Sequence, residues 1–206
     1  MKYFTIGWLI ILLLGCKDKS KPAAAAPFKL DSSNVPKAAA NPFAPIDISP
    51  MDISYYPADL PIKKMKDSAL VPDMRIIYSR PHRQDRKIFG ELVKYGEPWR
   101  LGANEATEIE FFNPVTIQGK SIPRGRYILY CIPQVNNWTI VFNNNTFSWG
   151  LKFNPQQDVY RFQIPVQNSN PTIEYLTIVF EETTNGATLT MAWENIIARL
   201  PIMVNR

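Results

Sequence analysis

The stretch IEYLTIVFEETTNGATLTMAW, residues 173–193, reads as two strands around a turn. Leu176, Ile178 and Phe180 recur at every second position and so share one face. Asn185-Gly186 is the strongest hairpin signal in the chain, because both residues tolerate the positive φ of a tight turn. Residues 187–193 then resume as a strand. The same period of two spreads outward from here. Residues 107–112 place Thr107, Ile109 and Phe111 opposite Glu108 and Glu110. Residues 138–143 align Trp138, Ile140 and Phe142, and residues 159–166 align Tyr160, Phe162, Ile164 and Val166. Residues 74–79 (MRIIYS), 115–118 and 127–132 add further short strands, with a turn at Gly119-Lys120. A last strand over residues 196–204 contains Pro201, which has no N–H to donate and so marks an edge or a bend.

One segment breaks the alternation. In DRKIFGELVKYG, residues 85–96, Ile88, Phe89, Leu92 and Val93 fall at helical spacing and Gly96 can end the turn. It predicts a short helix over one open end of the sheet structure. Many short strands separated by turn signals predict an all-β fold, an antiparallel β-sandwich of Ig-like or jelly-roll character with one short helix.

The first residues, MKYFTIGWLIILLLGC, have another purpose. Residues 6–14 form an apolar run of signal-peptide length, shorter than the roughly 20 residues of a spanning helix. The run ends in Leu13-Leu14-Gly15-Cys16, which resembles a bacterial lipobox. That resemblance implies cleavage before Cys16 and a lipid on its sulfur, with several acyl chains as a durable anchor. Lys17, rather than Asp, follows the Cys; by analogy with lipoprotein sorting this favours the outer membrane, facing either the periplasm or the cell surface.

Residues 16–62 are rich in Pro, Ala, Lys and Ser and lack sustained periodicity, so they read as a tether. Within it, DISPMDISYYP, residues 47–57, has the apolar and aromatic residues to dock on the domain. Residues 63–206 are the size of one domain. The organisation expected is therefore a signal peptide over 1–15, a lipidated tether over 16–62 and one sandwich domain over 63–206.

Charge and cysteine usage exclude several function classes. The net charge of +5 is mild, and many of the lysines sit in the tether. Nucleic-acid binding needs a basic stripe on a folded face, and none is evident. Of the two cysteines, Cys16 goes to lipid, so Cys131 has no intrachain partner and reads as a small buried apolar residue. His82 is the single histidine, which excludes a multi-histidine metal site. No Gly-rich phosphate loop, metal-spacing motif or G-x-S-x-G elbow is present, and no cofactor is expected.

The run IFGELVKYGEPWRLGANEATEIEF, followed by GKSIPRGRYILYCIP and NNWTIVFNNNTFSWG, resembles the family called domain of unknown function 2911, found in exported and lipid-anchored bacterial proteins. The family pattern falls on Ile88-Phe89-Gly90, Tyr95-Gly96, Trp99-Arg100, Gly102 to Thr107, Gly125 to Tyr127, Ile132-Pro133, Trp138 and Trp149. Lys94 stands where the family usually has Pro, and Leu101 where it usually has Thr, which removes one hydroxyl. The resemblance implies an exported location and no established activity.

Its centre, WRLGANEAT, is also the best site candidate. Trp99, Arg100, Asn104, Glu105 and Thr107 bring a flat aromatic face, a forked cation and polar groups to the mouth of a strand. Two arrangements fit. In one they line a small pocket, with Arg100 on a carboxylate, phosphate or sugar. In the other they satisfy one another, with Arg100 on Glu105, Asn104 in an Asx-turn and Gly102 at positive φ. The segment SRPHRQDRK, residues 79–87, holds five basic residues, among them Arg80 and His82, and either lines the same pocket or pairs with Asp85 and Glu91 in solvent. Trp138, with Phe147, Trp149 and Phe153, suits a carbohydrate platform or a core closure.

These residues support a lipid-anchored binding or interaction module of the cell envelope, with a glycan, a peptide or an envelope protein as partner. The alternatives are a hydrolase-like enzyme using Glu105 with Arg100 or His82, and a purely structural envelope protein.

Overall fold

The computed structural model describes residues 47–205. The expected signal peptide, Cys16 and most of the tether lie outside the described residues. Nine strands form one antiparallel sheet: β1 (Met51–Tyr56), β2 (Met74–Ser79), β3 (Thr107–Phe111), β4 (Val115–Ile117), β5 (Lys120–Ile122), β6 (Gly125–Pro133), β7 (Asn137–Asn143), β8 (Asp158–Thr183) and β9 (Gly186–Val204). Their order across the sheet is β1-β2-β3-β6-β7-β8-β9-β4-β5. The sheet is not closed.

The inward rows follow the period of two read from the sequence. Met74, Ile76 and Tyr78 of β2 meet Ile109 and Phe111 of β3, Leu129 and Cys131 of β6, Ile140 and Phe142 of β7, and Phe162 and Ile164 of β8. Leu176, Ile178 and Phe180, then Leu189, Met191 and Trp193, supply the other layer of the same core. The outer face of β2, β3 and β6 carries cross-strand ion pairs instead. Arg75 Nε lies 2.7 Å from Glu110 Oε2, and Arg126 Nη1 lies 3.6 Å from Glu108 Oε2. Such solvated pairs contribute at most about 1 kcal/mol each. Each fully buried Phe, Ile or Leu contributes roughly 1.5–3 kcal/mol, so the inward rows hold the fold.

The hairpin of residues 173–193 is present but much longer than the local pattern predicts. Strands expected separately over 159–166 and 173–182 are one strand, β8, with register shifts between Asn168 and Thr177. β9 likewise runs from Gly186 to Val204 and bends at Glu194, a non-glycine residue at φ 53°. The first part of β8 pairs with β7 and the last part with the start of β9, so this hairpin belongs to both layers. Its turn residues are Thr184 and Asn185, and Gly186 opens β9. Pro201 lies between the part of β9 paired with β8 and the part paired with β4, as its missing N–H requires.

Two expectations change. Residues 88–95 are turns, not a helix. Val93 N–H reaches Ile88 O at 2.8 Å and Gly90 N–H reaches Val93 O at 2.8 Å. Ile88, Phe89 and Val93 are buried but Leu92 is exposed, and Gly90 at φ 92° breaks any helical run. The single short helix, α1 (Leu60–Lys64), lies instead between β1 and β2. The sheet also begins earlier than residue 63: β1 pairs with β2 from Met51↔Ser79 to Tyr56↔Met74. The DISPMDISYYP segment thus docks as an edge strand. Among the described residues no helix is long and apolar enough to cross a membrane.

Two positions test how the layers are joined. A Cβ on Gly186 would lie 2.3 Å from Ile202 O, a backbone atom that cannot turn away. Gly186→Ala should therefore lower the melting temperature markedly. Gly119→Ala, with nothing within 4 Å, should lose only the roughly 1 kcal/mol of a positive φ. The Tyr78 hydroxyl accepts Ile178 N–H at 3.0 Å and donates to Asp52 Oδ2 at 3.3 Å, bridging β8 to β1. Burial pushes its pKa from 10.0 up to about 12. The folded state then holds a proton that the unfolded chain releases. This stabilisation is complete below pH 10.0 and is lost as pH rises towards about 12. Denaturant titrations across that range should show the loss in the parent and less of it in Tyr78→Phe. That variant should be weaker at neutral pH by about 1–3 kcal/mol, because Ile178 N–H is left unpaired.

Candidate functional site

Trp99 is fixed by backbone first. Its N–H donates to Cys131 O at 2.7 Å, and Cys131 N–H returns to Trp99 O at 2.8 Å, an isolated bridge beside β6. Its indole then stacks on Trp193, with ring centroids 5.9 Å apart and planes at 19°. It meets Trp138 and Phe89 edge-on, each at 5.9 Å. Trp138 is wholly buried, so it closes the core and forms no platform. Trp99 is half-buried, with one side on the core and the other on a cleft.

The chain after Trp99 must turn sharply to enter β3. Leu101 and Asn104 take the positive φ values, 53° and 58°. Gly102 does not, contrary to the self-satisfied arrangement; it is glycine because the loop passes close to β2. A Cβ there would lie 3.2 Å from Ser79 O and 3.3 Å from Thr107 Oγ1. Leu101 is fully buried, which suits its apolar side chain. Thr107 is buried and donates to Leu101 O at 2.9 Å, so it is a clamp within the loop. Asn104 donates outward, to Asp47 Oδ2 at 3.3 Å and Ser49 O at 3.5 Å, tying residues 47–50 to the loop.

Arg100 and Glu105 do not pair. Arg100 Nη1 donates to Asn104 O at 3.0 Å, and Glu105 is exposed with no ion pair or hydrogen bond to a described residue. The basic segment divides. Arg80 bonds Asp52 at 3.3 Å and Leu176 O at 3.3 Å, with its guanidinium over Tyr175, so it holds β1 and β8 rather than a ligand. Arg83 reaches Glu174 Oε1 with two nitrogens, at 3.1 and 2.9 Å, and Asp85 at 3.5 Å. His82 stacks on Tyr175 at 4.4 Å and points Nε2 at Glu174, 3.4 Å away. Lys87 lies 3.8 Å from Glu91. Arg86 makes only backbone bonds, to Arg83 O at 2.8 Å and His82 O at 2.6 Å.

The result is a cleft of ≈ 280 Å³ walled by Trp99 and Trp193, rimmed by Arg86 and Arg100, and bordered by Ser49 and Leu92. Neither arginine meets a carboxylate among the described residues. Periodicity does not bring Arg86, Trp193 and Ser49 together, because they converge from three separate segments.

Residues away from the cleft divide between packed and exposed positions. Burial pushes the Cys131 thiol well up, which leaves it protonated and inert. Asp158 accepts from Tyr130, Asn143 and Arg161, so its carboxylate is saturated. Phe153 stacks on Tyr130 at 4.1 Å, while Phe147 and Trp149 are exposed. Among the described residues no group of three or more His, Cys, Asp or Glu side chains is placed to hold a metal ion. No contact joins Glu105 to His82.

The tie through Asn104 gives a direct test. Asn104→Ala removes both side-chain bonds and places a less tolerant residue at φ 58°. Limited proteolysis should then cut near residues 47–50 at least several times faster, with little change in cutting elsewhere.

Comparison with known proteins bears on the fold and this loop together. No curated protein and no solved structure matches the chain. A family model described as "Protein of unknown function (DUF2911)" matches residues 61–202, a span that takes in the Trp99 loop and β2 to β9 nearly to their ends. The chain belongs to that family.

Proposed function

We propose that this protein is a lipid-anchored binding module of the outer membrane, whose Trp99 cleft takes a small anionic ligand with one flat face. The observation that carries the reading is the pair Arg86 and Arg100. Both rim one cleft and neither is neutralised by a described carboxylate. Most arginines around them are paired, so two uncompensated guanidiniums over an aromatic wall form a site for a carboxylate or phosphate. Trp99, half-exposed and backed by the buried Trp193, supplies a surface for a sugar ring or a planar group. The cleft volume, ≈ 280 Å³, is at the small end for ligand sites, so it fits one charged ring or a chain end rather than a long oligomer. An acidic sugar of an envelope glycan and a peptide carboxylate both meet that description.

The anchor supports the same role. The Leu13-Leu14-Gly15-Cys16 motif implies a lipid on Cys16, and Lys17 favours outer-membrane sorting. A binding domain held at a membrane meets its ligand at high local concentration, so modest affinity suffices. The hydrolytic alternative has no observation in its favour, since Glu105 stands alone and His82 is engaged by Glu174 and Tyr175.

Calorimetry of the processed chain, residues 16–206 with Cys16→Ser, against acidic and neutral sugars and short peptides tests the cleft. Acidic ligands should bind, and Arg86→Ala or Arg100→Ala should each weaken binding by about tenfold or more. Equal binding of neutral analogues, or unchanged affinity in both variants, rejects the reading. Separately, metabolic labelling with a tagged fatty acid should label the parent chain and not Cys16→Ala, which reads the lipid itself.

A further inference from the structure

The connection from β7 to β8 carries Phe147, Trp149 and Leu151, which are 93%, 61% and 66% exposed. Single exposed apolar residues are ordinary, but three large ones within one loop concentrate apolar surface that needs an occupant. The loop that presents them is held in place. Asn145 N–H donates to Asn143 Oδ1 at 2.8 Å, and Gly150 N–H donates to Ser148 Oγ at 3.1 Å. Phe153 is stacked on Tyr130. Gly150, at φ 83°, sits so close to the Trp99 loop that a Cβ would lie 3.1 Å from Arg100 Cβ and from Ala106 Cα. The base is packed, while the three apolar side chains are exposed.

Charge selects the occupant. Residues 136–157 contain no Asp or Glu, and Lys152 is their only charged residue. Across space, Glu97 and Arg161 border Leu151 and Lys152, and Arg161 is paired with Asp158. Phe, Trp and Leu on a loop whose own charge is a single lysine have the chemistry of a bilayer interface: apolar tips enter the acyl boundary, indole rests at headgroup level, and the cation meets anionic lipid. A sugar platform would use the Trp149 face but gains little from Phe147 and Leu151. We propose that Phe147, Trp149 and Leu151 insert into the bilayer interface, so that the domain rests on the membrane surface. Thirty residues separate Cys16 from Asp47, a reach of at most about 105 Å. The anchor would therefore keep the loop near lipid, and weak insertion suffices. That last point rests on the proposed lipid anchor; the insertion itself does not.

Flotation of the lipid-free processed chain, residues 16–206 with Cys16→Ser, with vesicles of phosphatidylethanolamine and phosphatidylglycerol tests it. The chain should float with the vesicles. A Phe147→Ser, Trp149→Ser, Leu151→Ser variant should lose at least about tenfold in partitioning, with its circular dichroism and melting temperature unchanged. Lys152→Glu should weaken binding to these vesicles but not to pure phosphatidylcholine. Brominated lipid should quench the parent's tryptophan fluorescence, and Trp149→Phe should abolish that quenching. Ile62→Ser with Met65→Ser, on and just after α1 and equally exposed, should float like the parent. A parent chain that stays in solution, a triple variant that floats unchanged, or an α1 variant that loses binding as strongly overturns the proposal. Loop-dependent dimers seen by light scattering without vesicle binding overturn it too, in favour of a second copy. Because Cys16 is absent throughout, failure here leaves the acyl-labelling test of the anchor standing.

Discussion

The stack of Trp99 on Trp193 is the contact on which the rest of the site depends. Trp193 belongs to β9 and is buried; Trp99 belongs to a loop and is half-exposed. Their near-parallel contact, with Trp138 and Phe89 against the edges of Trp99, is where the core ends and the cleft begins. A stacked aromatic cluster of this size excludes water from one side of the loop and gives the other a rigid wall. The two backbone bonds between Trp99 and Cys131 set the height of that wall, and the positive φ at Leu101 turns Arg100 out along it.

The charges around this wall sort by partner. Arg75, Arg80, Arg83 and Arg126 each lie within ion-pair distance of a carboxylate that reaches them from another strand or turn, and Arg161 pairs with Asp158 of its own strand. Those pairs are largely solvated and add little stability. Their consequence is selective: they remove most of the positive charge from competition and leave Arg86 and Arg100, which bond only backbone carbonyls, facing the same cleft. A basic segment of five residues thus resolves into one cation at the rim, two that brace β8, a histidine that is stacked away, and Lys87, which lies beside Glu91 in solvent.

Much of the fold was legible because a strand writes itself in alternate residues. Thr107, Ile109 and Phe111, or Trp138, Ile140 and Phe142, announce their inward face without any knowledge of neighbours, and they are buried as the alternation requires. The misreading of residues 88–95 has the same root. Ile88, Phe89 and Val93 are indeed buried together, but a compact set of turns buries three residues as well as a helix does, and Gly90 at φ 92° decides between them. β1 was hidden because an edge strand in a Pro-rich stretch gets its order from pairing with β2, not from its own pattern.

By itself the sequence determined the strand faces, the hairpin near Gly186, the burial of Cys131 and the family to which the chain belongs, since each depends on residues adjacent along the chain. The joining of two strands into the bent β8, the failure of Arg100 and Glu105 to meet, the withdrawal of Arg80 to Asp52, and the arrival of Arg86 and Trp193 at the cleft were decided only by tertiary structure. Those outcomes depend on which segments pack side by side across separations of tens of residues, and no local period carries that information.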